Sequence, residues 1–420
     1  MRIFKKLLAF ISLIAILIPM YQCNGEAGGS EAKRRTVDNP KTLGDDGSWV
    51  YIIDNEVISK NEFESTYQLF LKVAAVSTGV GQEKMELVGE SGEKKKAVLE
   101  RLINSELAFA KAMKDPMFKE ESGRNLILAY KRQAINQYYM YKKVFSKVKE
   151  PNEKEVSDFY KKYKVQLSQT GLKDINSNVN KEKLKQFYRR FQLNKLTQDE
   201  FGKLLRESKV ETNPQVMEDY LKGTLDANAV KGDTSGKYWL IKLDDRPLHL
   251  KQVIPLIELQ LSSGKMKLPI KDAKKAKYLA GSVIRTLKTV ELGYHAAKDK
   301  KYDELVEGKR FIQLIQKRSI TLYYLMQKVF KEIKMPDDAT SRKIISDPKR
   351  RQAVINYLNQ TKMPATEKNI LDVARGQIYK KNMALAQKNF FDQLREAHRV
   401  RISEKYFESS AENLKKDSVK

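Results

Sequence analysis

The sequence predicts a mainly α-helical protein that carries a short sheet. Two observations support this fold class: apolar residues recur at helical spacing along much of the chain, and short apolar runs near both ends have the length of strands. Between residues 127 and 148, apolar, aromatic or small side chains follow one another at spacings of three and four, which places them on one face of a helix. The strand candidates are residues 49–53 and 400–402.

Length and composition indicate a folded chain. Its 420 residues, of which 41% are hydrophobic and 32% charged, suffice for two or three domains and are too apolar for disorder. The 80 lysines and arginines outnumber the 53 acids, and the net charge of +27 favours acidic partners such as nucleic acid, anionic lipid, lipopolysaccharide or acidic proteins. The basic residues are scattered in pairs, as on an ordinary solvated surface, so charge alone does not choose among these partners.

Residues 1–22 have the pattern of a secretory signal peptide. Arg2, Lys5 and Lys6 precede an uncharged apolar run over residues 7–20, which is shorter than the roughly 20 residues of a spanning helix. No later segment of the sequence is as long and as apolar as a membrane span. We therefore expect an exported protein, and export argues against nucleic acid as its partner.

Cys23, the only cysteine, lies directly after this apolar run. In LIPMYQC it resembles the lipobox of bacterial lipoproteins, in a relaxed form similar to that of spirochaetes, although Met20, Tyr21 and Gln22 replace the usual residues. The resemblance implies that Cys23 is acylated and anchors the protein to a bilayer, which we expect to be the outer membrane on its periplasmic side. The alternative is that Cys23 is an unmodified thiol, because a single cysteine cannot form a disulfide within the chain.

A flexible tether and a helical module are predicted next. Residues 23–48 are rich in Gly, Ser, Asp and Asn and have no apolar periodicity, which is typical of a linker. The module, residues 49–164, begins with a strand, a turn at Asp54 and a second short strand. Ser59 and Glu62 then form a capping box that starts a helix.

A nine-residue motif occurs twice in the chain. QYYMYKKVF at residues 137–145 matches LYYLMQKVF at residues 322–330. The ungapped alignment at this offset of 185 pairs residues 98–151 with residues 283–336 and contains fifteen identities. The repeat predicts a helical hairpin with one buried face that the chain uses twice.

The aromatic residues of the repeat have two interpretations. They are either the core of a helical array or an adaptable apolar surface that binds other chains, with Tyr139 and Tyr324 facing a groove. The candidate binding residues are Tyr138, Tyr139, Tyr141, Tyr323, Tyr324 and Met326.

The rest of the chain divides by pattern into further segments. The strand candidate in GKYWLIKLDDRP and the long helix predicted over residues 377–398 are its clearest elements. The predicted segments are an inserted or diverged region (165–247), a second helical module (248–384), a piece that completes the first module (385–405) and a polar tail (406–420).

The order of these motifs resembles the SurA and parvulin-type periplasmic chaperones. VYIIDNEVISKNEF, LERLINSELAFAKA, PNEKEVSDFYKKYK and FFDQLREAHRVRI are similar to the opening strands, second helix, following helix and closing helix and strand of that family. The resemblance implies a helical chaperone module in which the last strand pairs with the first. GKYWLIKLDDRP resembles the final strand of a parvulin domain, but residues 165–246 contain no histidine or cysteine and lack that domain's active-site residues.

Other chemistry has little support in the sequence. The three histidines, His249, His295 and His398, are far apart, there is no metal-ligand spacing, and there is no phosphate-binding glycine loop. We therefore expect no metal and no cofactor.

The leading expectation is a lipid-anchored periplasmic chaperone that works without ATP. It would bind unfolded outer-membrane or secreted proteins, with its positive charge drawing it to acidic clients, anionic lipid or lipopolysaccharide. One alternative is a peptidyl-prolyl isomerase with a diverged parvulin domain. Another is a surface-exposed adhesin or structural lipoprotein.

Overall fold

The computed structural model confirms the predicted mainly helical fold and contains two small antiparallel sheets in its described residues. The signal peptide, Cys23 and the end of the polar tail lie outside the described residues. The structure describes residues 35–36, 43–78, 92–168, 178–263, 266–361 and 363–408.

The helices and strands are numbered along the described chain. The helices are α1 (Lys60–Thr78), α2 (Gly92–Lys114), α3 (Glu121–Lys143), α4 (Glu153–Ser168), α5 (Asn178–Glu207), α6 (Pro214–Lys222), α7 (Ala227–Lys231), α8 (Ile254–Ser263), α9 (Ala273–Asp299), α10 (Val306–Leu325), α11 (Asp338–Ile345), α12 (Pro348–Gln360) and α13 (Glu367–Ala397). The strands are β1 (Arg35–Thr36), β2 (Trp49–Ile53), β3 (Glu56–Ser59), β4 (Val210–Thr212), β5 (Trp239–Leu243), β6 (Arg246–His249) and β7 (Val400–Ile402).

The first sheet joins the two ends of the described chain. Its order is β1-β3-β2-β7, and β2 pairs antiparallel with β7 from Tyr51 opposite Ile402 to Ile53 opposite Val400. The predicted pairing of the first and last strands is therefore confirmed. The predicted helix start is also confirmed, because the backbone N–H of Glu62 donates to the Ser59 hydroxyl at 3.2 Å.

Both predicted boundaries of flexible sequence are wrong by several residues. The segment before β2 belongs to the fold: the hydroxyl of Ser403 donates to the carboxylate of Asp45 at 2.5 Å, and the indole N–H of Trp49 donates to the carbonyl of Gly44 at 3.0 Å. The predicted polar tail begins with Tyr406, which is fully buried and meets the ring of Phe63 edge-on. Tyr406 and Phe407 stand among polar residues and gave no periodic signal, but Tyr406 fills the core beside the sheet.

The largest core lies beneath this sheet and extends through the repeated hairpins. It combines side chains from β2 and β3 with side chains of α1, α2, α3, α9 and α10 and the end of α13. Helix α3 lies at its centre, because it packs against α9 and α10 at once. The helix ends at Lys143, two residues before Phe145, so the last part of the predicted stripe forms a short 3-10 turn instead.

A second core belongs to the middle of the chain. The sheet β4-β5-β6 is antiparallel, and GKYWLIKL supplies its central strand, as the sequence predicts for that segment. The strand ends at a turn where Asp244 and Asp245 adopt positive φ, and the chain returns as β6. Buried residues of α6, α8 and the first half of α9 pack against this sheet. Helix α9 therefore links the two cores, because its second half belongs to the first one.

A third, smaller core groups α11, α12 and the first turns of α13. Helix α13 begins at Glu367, ten residues before the predicted start, where the Thr366 hydroxyl accepts from the N–H of Asn369 at 3.3 Å. Its other end returns to the first core through Leu394. None of residues 375–393 between these anchor points is buried, so the middle of α13 crosses from one core to the other with solvent access.

Candidate functional site

The structure separates the six candidate binding residues into two groups. Tyr138 and Tyr139 are 0% exposed and Tyr324 is 5% exposed, so these three belong to the core. The alternative in which Tyr139 and Tyr324 face a groove is therefore wrong. Tyr141, Tyr323 and Met326 are partly buried.

The burial of two consecutive tyrosines has a structural reason. Neighbouring residues on a helix point about 100° apart, so both are buried only when the helix is covered on more than one side. Helix α3 meets this condition. The Tyr138 ring lies 5.3 Å from that of Phe311 on α10, whereas the Tyr139 hydroxyl donates to Glu200 on α5.

The two buried hydroxyls are bound to carboxylates. The hydroxyl of Tyr138 donates to Glu307 at 3.2 Å, and Glu307 also pairs with Lys142. Burial, with a further contribution from the neighbouring carboxylates, raises the pKa of Tyr138 and of Tyr139. Both side chains therefore remain neutral donors at physiological pH, and we assign them to packing.

Two ion pairs in this region are related by the repeat. Arg132 on α3 pairs with Glu291 on α9 at 2.6 Å, and Lys317 on α10 pairs with Glu106 on α2 at 2.8 Å. At the offset of 185, Arg132 corresponds to Lys317 and Glu106 corresponds to Glu291. Each hairpin thus presents its cation to the acid of the other hairpin, which is the reciprocal pattern of a two-fold contact.

The same reciprocity holds for the aromatic contacts of these cations. The guanidinium of Arg132 lies 4.9 Å from the ring centre of Tyr294, and the ammonium of Lys317 lies 5.4 Å from that of Phe109. Phe109 and Tyr294 are also equivalent positions of the repeat. A shared helical propensity does not produce matched contacts between side chains this far apart in sequence.

A pair of glycines shows that the two hairpins also share backbone geometry. A Cβ at Gly123 would lie 2.0 Å from the carbonyl oxygen of Met117, and a Cβ at Gly308 would lie 2.1 Å from that of Tyr302. Gly123 and Gly308 are 185 residues apart, and so are Met117 and Tyr302, so the two contacts are equivalent in the repeat. The close approach allows each hairpin to fold its second helix tightly against the preceding turn. These backbone contacts, together with the matched ion pairs, show that the two hairpins are equivalent. The aromatic motif packs in the contact between them.

Buried polar atoms also occur at equivalent positions of this contact. Asn136 and Thr321 are 8% and 6% exposed, and the Asn136 Oδ1 and the Thr321 Oγ1 have no hydrogen-bond partner among the described residues. A buried polar atom without a partner costs about 1–3 kcal/mol. The hairpin contact therefore leaves one side-chain polar atom unsatisfied at each of these two equivalent positions.

An accessible apolar surface lies instead on the middle of α13, where the sequence predicts a helix but no binding site. Tyr379, Met383, Ala386 and Phe390 follow one another at spacings of four, three and four and are only partly covered. Leu385, on a different face of the same helix, is 55% exposed. The apolar spacing was visible in the sequence, but the two separate anchor points that leave it open were not.

A polar clasp fixes the C-terminal strand to the turn between β2 and β3. His398 Nδ1 lies 2.7 Å from Asp54 Oδ2, and the backbone N–H of Arg399 donates to Asp54 Oδ1 at 3.0 Å. Burial acts to raise the pKa of Asp54, but these hydrogen bonds outweigh it and hold the pKa below its usual value. The clasp therefore favours the ionised carboxylate.

The remaining ionisable groups form no cluster suited to metal binding within the described residues. The histidines lie on different elements: His249 ends β6, His295 lies on α9 beside Glu291, and His398 belongs to the clasp. No helix in the described ranges is both long and apolar enough to cross a membrane. No protein-family model, curated protein or solved structure matches the chain.

Proposed function

We propose that the protein is a periplasmic chaperone, anchored through acylated Cys23, that holds unfolded outer-membrane or secreted proteins without ATP. The observation that carries this proposal is the pairing of β2 with β7. It closes an N-terminal helical module with the last helix and strand of the chain, which is the arrangement that the resemblance to SurA-type chaperones implies. Export and lipidation rest on the sequence of residues 1–23.

The surface that suits this function is the apolar stripe of α13, defined here as Tyr379, Met383, Ala386 and Phe390. It lies between two cores, and it combines aromatic and methionine side chains with solvent access. Such side chains adapt to varied apolar segments at a modest cost in conformational entropy. We assign client binding to this stripe, and we assign the tyrosines of the repeat mainly to the hairpin contact.

An aggregation assay tests the proposal. An unfolded outer-membrane protein is diluted from urea with the chain from residue 24 onward, which retains every described element, and light scattering is recorded. We expect suppression at near-stoichiometric ratios. Scattering that is unchanged by a tenfold excess of the protein would refute the chaperone function.

A pair of variants locates the binding surface. Tyr379→Ser combined with Met383→Ser should weaken suppression severalfold, because both changes remove apolar area from the stripe. The matched control is Lys380→Ser combined with Lys381→Ser, two exposed residues of the same helix segment. Equal suppression by both double variants would remove the stripe from the proposal but leave the chaperone function standing.

One structural observation favours the isomerase alternative. The segment that resembles the last strand of a parvulin domain is the central strand of its own sheet with its own core. A proline-limited refolding assay separates the two activities, since an isomerase accelerates the slow phase whereas a holdase only prevents aggregation. The adhesin alternative predicts cleavage by protease added to intact cells, which a periplasmic protein survives.

A further inference from the structure

A strongly basic surface lies around the start of α9, just before the second copy of the repeat. The lysine surface, as we name it, is formed by residues that are all exposed: Lys267, Lys271, Lys274, Lys275, Lys277 and Tyr278. Tyr278 is 69% exposed, although tyrosine usually buries most of its ring. Asp272, which caps the helix through the N–H of Lys275, is the one acid in this stretch.

These five lysines differ from the surface cations that are paired with acids. Many exposed cations have acid partners, as in the pairs Arg351–Glu367 and Lys388–Asp392. None of the five lysines has an ion-pair partner among the described residues. The N-terminal end of a helix adds further positive potential within its first turn. The charge of this surface is therefore not neutralised from within the molecule.

The surface is also held in a fixed orientation. On the opposite side of α9, Ala276, Ala280 and Ile284 are buried in the second core. This packing leaves Lys274, Tyr278 and Arg285 on the outward face at spacings of four and seven. An aromatic ring among cations, presented by a rigid helix, is the composition that binds at the interface of an anionic bilayer.

From this geometry we infer that the lysine surface docks the protein onto an anionic lipid bilayer. The inference rests on the proposed function in one respect, namely anchoring at Cys23. The chain from Cys23 to Arg35 in β1 spans at most about 40 Å, which keeps the folded part close to the membrane. At that distance a weak electrostatic contact acts at a high effective concentration and fixes which face of the protein meets the lipid.

Cosedimentation with vesicles tests the inference without the lipid anchor. The chain from residue 24 onward is mixed with phosphatidylcholine vesicles, with or without about a third phosphatidylglycerol. We expect sedimentation with the anionic vesicles only, weakened by added salt. Each lysine near an anionic surface contributes about fivefold to partitioning, so replacing four of them should reduce it by about 600-fold.

Two sets of variants make the assay specific. The test variant carries Lys271→Gln, Lys274→Gln, Lys275→Gln and Lys277→Gln. The matched control carries the same loss of charge at four other exposed lysines, Lys183, Lys331, Lys380 and Lys381. The control should retain most of the binding, and Tyr278→Ser should lower binding severalfold in a way that added salt does not mask.

Several outcomes would overturn the inference. These are equal loss in the test and control variants, equal binding to neutral vesicles, and binding of duplex DNA through the lysine surface without binding to vesicles. The chaperone proposal is judged separately, because the four-lysine variant should suppress aggregation as the unmodified chain does. Suppression without vesicle binding would refute only the docking surface, and vesicle binding without suppression would refute only the chaperone function.

Discussion

The reciprocal ion pairs make a quantitative prediction about the contact between the two hairpins. Glu291 has a side chain that is only 5% exposed, and Arg132 is its closest cationic partner at 2.6 Å. Replacement of Arg132 by methionine keeps most of the aliphatic length but leaves the carboxylate of Glu291 buried without its arginine. The other side chain near this carboxylate is His295, whose Nε2 lies 3.5 Å from Glu291 Oε2.

The expected magnitude follows from this burial. Breaking a buried ion pair on one side costs about 3–5 kcal/mol, whereas replacing both partners by apolar residues is often close to neutral. Since Arg132 is 24% exposed and His295 remains nearby, we expect Arg132→Met to cost about 3 kcal/mol. The double variant Arg132→Met and Glu291→Met should lie within about 1 kcal/mol of the unmodified protein.

Urea unfolding measures these differences. Two tryptophans report on separate parts of the fold, Trp49 in the first sheet and Trp239 in the second, so fluorescence is recorded together with far-ultraviolet circular dichroism. The surface pair of Arg350 and Asp347, whose side chains are 65% and 47% exposed, provides the control. Arg350→Met should change the free energy of unfolding by less than about 0.5 kcal/mol.

The single and double variants together form a double-mutant cycle, which tests whether Arg132 and Glu291 interact in the folded protein. A double variant that is as unstable as the sum of the two single variants would show that Arg132 and Glu291 do not interact in the folded protein. A cost for Arg132→Met no larger than that of the surface control would show that Glu291 is solvated. Either result would remove the main electrostatic support for the two-fold contact.

Further predictions concern the same contact and the strand clasp. Gly123→Ala and Gly308→Ala should each lower the free energy of unfolding by about 2–3 kcal/mol, because the added Cβ meets a backbone carbonyl. Gly376 has open space around it, so Gly376→Ala should raise the free energy of unfolding by about 0.5–1 kcal/mol in the same urea assay. Thr321→Val should be neutral or stabilising by up to about 1 kcal/mol, and a loss would show that its hydroxyl has a partner. Asp54→Asn tolerates the positive φ of 53° and should cost at most about 1 kcal/mol at neutral pH, since the side chain is half exposed. Because the folded-state pKa of Asp54 is lowered, this contribution is present above the unfolded-state pKa and disappears as the pH falls through the folded-state pKa, so unfolding curves of the two proteins should converge in acid.

Local patterns in the sequence predicted the helices and strands well. They did not predict contacts between residues that are far apart in sequence. The helical period, the capping box at Ser59 and the recurrence of the nine-residue motif depend on neighbours in sequence. The burial of Tyr139 depends on Glu200 and the rest of α5, some 60 residues away. The ordered segment around Asp45 depends likewise on Ser403, at the other end of the chain. No local pattern contains such partners. The sequence therefore placed Asp45 in a tether and allowed Tyr139 to face a binding groove.

The repeat also explains why function has to be sought away from its aromatic motif. A hairpin with one apolar face buries that face against an equivalent hairpin, and Arg132, Lys317 and their acids fix the register of the two. Tyr138, Tyr139 and Tyr324, which were among the candidate binding residues in the sequence, are buried in this contact. What remains accessible is the apolar stripe of α13, which spans two cores, and the lysine surface of α9, which lacks acid partners. In our proposals the apolar stripe binds unfolded chains and the lysine surface binds the membrane, and neither competes with the hairpin contact that holds the fold together.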